Sequence, residues 1–116
     1  MDLSRHYTHW NVKPYVREHA QETATRFRTS WNTYYDHPPG YALDAVSVDF
    51  WDEGGRGYEL DEHTGDAVVA WLLGQHVLVP IQWLIWFGHI WTPEAGWLVY
   101  NGWQGSHHDH VHVTFL

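Results

Sequence analysis

Residues His107-His108-Asp109-His110-Val111-His112 bring four imidazoles and a carboxylate into six positions of a 116-residue chain. Imidazole is the commonest zinc ligand and binds as the neutral ring. A carboxylate beside it can take a proton from water. The chain has no cysteine, which excludes disulfides, thiolate metal sites and a cysteine nucleophile; any metal must be held by His and carboxylate. From His110 onward the sequence alternates, with His110, His112 and Thr114 on one side and Val111, Val113 and Phe115 on the other. That is strand rhythm, and residues two apart on a strand point the same way, so His110 and His112 converge on one site. The valine interruptions argue against a purification tag. The other reading is a core strand capped by a His pair. Asp109 can act as a general base only from the turn ahead of the strand, because inside it parity would turn the carboxylate away from His112.

A catalytic zinc takes three protein ligands and keeps one position open, so the cluster is half a site. His37 is the candidate for the other half. It stands just before the turn Pro38-Pro39-Gly40, which feeds a strand. Two carboxylates follow it, Asp44 and Asp49. Asp49 sits amid Val46, Val48 and Phe50, where a carboxylate is costly unless paired or bound to metal. The alternation of Ser47 and Asp49 equally permits a strand residue facing solvent. His6, His9, His19, His63 and His76 are expected at the surface, and His89 in an aromatic turn is intermediate.

The elements that must position these residues follow from periodicity. Pro14 suits a first helical turn, and Val16, Ala20, Ala24 and Phe27 follow at helical spacing, predicting a helix over 13–29. Trp31 to Tyr35 is β-prone. Ala45 to Trp51 reads as a strand ended by Gly54-Gly55-Arg56-Gly57. Asp61 and Glu62 suit the start of a second helix, carried by Ala67, Val68, Trp71 and Leu72 to Gly74. Ile81 to Phe87 reads as a buried strand turned back through Gly88-His89 into Ile90-Trp91. Trp97 to Tyr100 is a further strand, ended by Asn101-Gly102. The order α-β-β-α-β-β-β predicts an α+β fold: a small, mostly antiparallel sheet with two main helices in one domain over 1–116. Residues 1–12 show no period and read as an N-terminal extension.

Composition narrows the partners. Fourteen acidic residues against six Lys plus Arg give a formal charge of -8. No basic face is available to displace counterions from phosphates, so nucleic acid is not an expected partner. Below about pH 6.5 the 11 histidines begin to protonate, leaving a weak opening for polyanions. No apolar run approaches the ~20 residues of a membrane span, and the first residues lack the apolar core of a signal peptide. The expectation is a monomer, cytoplasmic until released by lysis, or extracellular if the chain is a trimmed secreted domain. Nine tryptophans make dense packing possible from few positions. Trp83, Trp86, Trp91 and Trp103 could line a groove, though most are expected in the core.

With both halves in view, the chain resembles the zinc peptidase superfamily of D-Ala-D-Ala carboxypeptidases and related endolysins. His37-Pro38-Pro39-Gly40-Tyr41-Ala42-Leu43-Asp44 fits its motif His-x-x-Gly-x-Ala-x-Asp. Asp109-His110-Val111-His112 fits both later forms, Glu/Asp-x-x-His and His-x-His. Gly65, Trp86, Ile90-Trp91 and the closing strand are similar to small actinobacterial and phage members, and the likeness spans roughly residues 30 to 116. The resemblance implies hydrolysis of a peptide bond in peptidoglycan stem peptides, with Zn2+ held by His37, His112 and an aspartate. Motif spacing favours Asp44 as that ligand. Strand context favours Asp49, with a five-residue insertion after His37. The resemblance also implies Asp109 as proton acceptor and His110 beside the substrate, with Arg56 either clamping a substrate carboxylate or capping its loop. The alternative is a non-catalytic metal-binding module of the same fold, serving in cell-wall binding or phage structure.

Overall fold

The computed structural model describes residues 7–8, 12–34, 46–53, 59–100 and 109–116. In chain order the elements are β1 (Tyr7–Thr8), α1 (Pro14–Phe27), β2 (Thr29–Tyr34), β3 (Ser47–Asp52), α2 (Glu62–Gly74), β4 (Ile81–Trp86), β5 (His89–Thr92), β6 (Gly96–Val99) and β7 (Val111–Phe115). Pro14 opens α1 with its fixed φ, and Arg28 closes it in the left-handed conformation, its N–H donating to the carbonyl of Ala24. Asp61 caps α2: its carboxylate accepts from the N–H of Thr64 at 2.8 Å and from the Thr64 hydroxyl at 2.7 Å. Those bonds, the backbone one first, hold the Asp61 carboxyl below its ordinary range.

The strands lie in the order β1-β2-β3-β7-β4-β5-β6, and every neighbouring pair is antiparallel. The α+β expectation is therefore the observed fold, with both helices packed on one face of the sheet. Val48 and Phe50 of β3, Leu84 and Trp86 of β4, and Val111, Val113 and Phe115 of β7 share that face. They meet Val16, Ala20 and Ala24 of α1 and Val68, Val69 and Leu72 of α2 in one core. The predicted order lacked two strands. β1 is too short to leave a period, and the return strand β5 is a full element. Tyr7 and Thr8 pair with Tyr34 and Thr33, and Val12 is buried, so the described part of the first twelve residues belongs to the fold.

Tight turns set the hairpins. Phe87 (φ 50°) and Gly88 (φ 80°) join the paired Trp86 and His89. Positive φ at both central residues is the primed geometry whose twist suits a two-residue hairpin. At the next turn Gly96 takes φ 70°, and the Thr92 hydroxyl accepts from the N–H of Ala95.

His19 corrects the sequence reading. Its residue type predicts a surface position, yet it is 6% exposed, edge-on to Phe115 at 5.5 Å. Its Nε2 has no hydrogen-bond partner among the described residues. The α1 stripe of Val16, Ala20, Thr23 and Ala24 is wide enough to take in position 19. Burial pushes the His19 pKa below 6.5, and Glu22, 3.9 Å away, pulls it back only in part. Between the lowered value and 6.5 the unfolded chain binds more protons than the folded one, so stability rises with pH there. Stability is therefore expected to fall as pH drops through about 6.5 toward the lowered value. In His19→Leu this part of the pH dependence should be absent; denaturation midpoints that track wild type from neutral to mildly acidic pH would refute it.

Gly65 is a second packing constraint. A Cβ there would lie 2.0 Å from Cζ2 of Trp86, whose indole N–H donates to Asp66 at 2.9 Å. Alanine would gain about 1 kcal/mol of helix propensity, but overpacking costs about 1–3 kcal/mol. The displaced indole also loses its bond to Asp66. Gly65→Ala should thus lower the denaturant midpoint at unchanged slope, and a midpoint equal to or above wild type would show that the contact is not tight.

Candidate functional site

β3 and β7 are neighbours in a register that sets Asp49 opposite His112 and Phe50 opposite Val111. Because Phe50 and Val111 face the helices, Asp49 and His112 face the other side of the sheet. Asp49 is 4% exposed. Its Oδ1 accepts from Nδ1 of His112 at 2.7 Å and lies 3.7 Å from Nε2 of His110. A carboxylate so far from water needs such partners.

Asp109 lies in the bend ahead of β7, the placement that leaves its carboxylate available to the site. Its Oδ1 is 2.7 Å from Nδ1 of His110, while its carbonyl accepts from the N–H of Leu60 at 3.0 Å. The His110 ring is stacked on Trp51 at 4.2 Å between centroids. Trp51 is held in turn by donation of its indole N–H to Asn32 at 3.3 Å. On the far side, Nε2 of His112 lies 3.3 Å from the Thr114 hydroxyl, which shares a 2.8 Å bond with Ser47. The result is a polar line Asp109–His110–Asp49–His112–Thr114–Ser47. Its carboxylates differ in access, with side-chain exposures of 51% at Asp109 and 6% at Asp49.

The register also shows where the site stops. Asn32, Asp49, His112, Ile85, Ile90 and Leu98 are successive cross-strand partners from β2 to β6. The row is polar through His112 and apolar from Ile85 on. Of the tryptophans expected near a groove, Trp86 packs against Gly65 on the helix side and belongs to the core. Trp91 lies edge-on to His76, and Trp83, opposite Thr114, lies on the face of the site. Sequence reasoning missed Trp51 and Asn32. Trp51 had a signal, standing two residues from Asp49 on the same strand face. Asn32 had none, since its place depends on the β2–β3 register.

His37, Asp44, Arg56, Trp103, His107 and His108 lie outside the described residues. Among the described residues, no group of three or more His, Asp or Glu side chains is placed to hold a metal ion. Two donors of suitable chemistry do meet, a carboxylate oxygen and an imidazole nitrogen. Zinc bonds of about 2.0–2.2 Å set tetrahedral ligands roughly 3.3 Å apart. The 2.7 Å Asp49–His112 contact would therefore have to open by about half an ångström, a side-chain adjustment. The donor types fit zinc, and the described residues bring two of the three ligands that a catalytic zinc takes.

Residues 6–112 match the family described as VldE, C-terminal domain, and the chain belongs to that family. The match spans Asp49, Asp109, His110 and His112 together with the undescribed His37, Asp44 and Arg56. No curated protein matches the chain, and no solved structure does.

Proposed function

We propose that this member of the VldE C-terminal-domain family is a zinc-dependent hydrolase of a peptide bond in peptidoglycan stem peptides, acting as a carboxypeptidase or endopeptidase. The observation that carries the reading is the meeting of Asp49 with His112 on adjacent strands, next to the Asp109–His110 pair. Asp49, the carboxylate that strand context favours as a ligand, and His112 stand far apart in sequence and side by side in the sheet, which supports the reading.

Asp49 and His112, with His37 as third ligand and Asp44 as the alternative to Asp49, would hold Zn2+. Bound there, the metal supplies a Lewis acid for the scissile carbonyl and lowers the pKa of water. Asp109, the accessible carboxylate, takes the proton of the attacking water and returns it to the leaving amine. His110 is fixed by Asp109 through Nδ1 and by the face of Trp51. Its Nε2 is thereby turned toward Asp49, where it can donate to a developing oxyanion. Arg56 would pair with a carboxylate of the peptide. The chain's negative charge agrees with a peptide partner rather than a nucleic acid. None of the described helices is long and apolar enough to cross a membrane.

Two measurements test this. Purified protein should contain stoichiometric zinc, and Asp49→Ala or His112→Ala should lose it while keeping the far-UV spectrum. Asp109→Asn should keep the zinc yet release muropeptides from purified peptidoglycan about 10²–10⁴-fold more slowly. If the intact, zinc-loaded protein releases nothing, the enzyme reading fails and the non-catalytic wall-binding or phage structural module takes its place.

A further inference from the structure

β6 forms one margin of the sheet, and among the described residues no strand pairs with its outer edge. Natural edges are guarded by shortness, charge, proline or a bulge; Gly96–Val99 is short but carries no charge, no proline and no bulge against β5. Trp97, Leu98 and Val99 are 44%, 52% and 68% exposed. Between Asp66 and Asp109 the only Asp, Glu, Lys or Arg is Glu94. The chain's charge of -8 is thus borne almost entirely elsewhere.

The backbone says what fits. The N–H of Tyr100 donates to the carbonyl of Gly88 in the neighbouring strand region. Alternation then turns the N–H and C=O of Gly96 and Leu98 toward β5 and those of Trp97 and Val99 outward. A lipid surface cannot satisfy outward backbone groups; another strand can. Two copies of β6 pair antiparallel about a twofold axis with Leu98 opposite Leu98 and Trp97 opposite Val99. Both outward residues then become hydrogen-bonded pairs, giving four backbone bonds. The same register keeps the faces matched, so each apolar side chain meets an apolar side chain. It also joins the two uncharged poles and holds the two acidic bodies apart, the arrangement with least self-repulsion.

We infer that the chain forms a twofold dimer by edge-to-edge pairing of β6, in place of the monomer expected from sequence. The axis runs perpendicular to the sheet. Both Asp49–His112 sites therefore open on the same side of one continuous sheet, with the two β7 strands seven strand steps or about 34 Å apart. The inference rests on the edge alone and stands or falls separately from the catalytic reading.

The test is sedimentation velocity of the whole chain across a wide concentration range. Wild type should show a monomer–dimer equilibrium. Val99→Pro removes an outward N–H for which no described residue is the acceptor, a substitution edge strands tolerate. Leu98→Lys sets two cations against each other at the axis. Each should weaken association by about tenfold or more with an unchanged far-UV spectrum. A wild-type monomer at every concentration would overturn the inference, whether or not it floats with phosphatidylcholine vesicles as a lipid-binding edge would. A dimer equally strong in both variants would overturn it as well.

Discussion

Everything on both faces of this sheet depends on the register of β7. It is the central strand, hydrogen-bonded to β3 on one side and β4 on the other. A slip of one residue against its neighbours would exchange its two faces. His110 and His112 would be driven into the helix-packed core, and Val111 and Val113 would leave it. The strand is tied at both ends against such a slip. At its start the Asp109 carbonyl accepts from Leu60. At its finish Phe115 donates to Val46, Leu116 donates to Pro80, and the Tyr15 hydroxyl donates to the Leu116 carbonyl.

The polar face has a constraint of its own. Asp49 is buried, so its carboxyl needs polar partners, and among the described residues the rings of His112 and His110 lie within reach. The contact that makes the buried carboxylate tolerable is also the one that presents an oxygen and a nitrogen side by side. A cation using both atoms must displace the proton between them, so cation uptake at this pair is linked to proton release. Trp51 supplies a wall rather than a charge, fixing the plane of His110 so that its two nitrogens point to different carboxylates.

What could be read from the sequence divides along physical lines. The alternation from His110 to Phe115 marked both the strand and its two faces, because the strand is apolar on one side only. The helices were legible from their stripes and from Pro14 and Asp61. The place of β7 between β3 and β4 was not legible, since pairing partners leave no local period. With it went the row running from Asp49 to Leu98, and the β2–β3 register that sets Asn32 opposite Asp49 left no local period either. His19 is buried against its residue type because its position beside the α1 stripe decides its surroundings. Asp49, which strand context favours, stands opposite His112 on β7; Asp44 and His37 lie outside the described residues.

The central position of β7 also orders events in time. The strands β4 to β6 form a local meander through two tight turns, able to pair early in folding, while β2 and β3 pair across a longer stretch of chain. Between β3 and β4 lies a gap that a strand far along the chain must fill. Until it docks, β3 and β4 each expose an inner edge, and Asp49 has neither histidine beside it. Closing the sheet and assembling the polar line are therefore one step, with the slow kinetics of a non-local contact. A chain caught before that step carries two unpaired inner edges and no site.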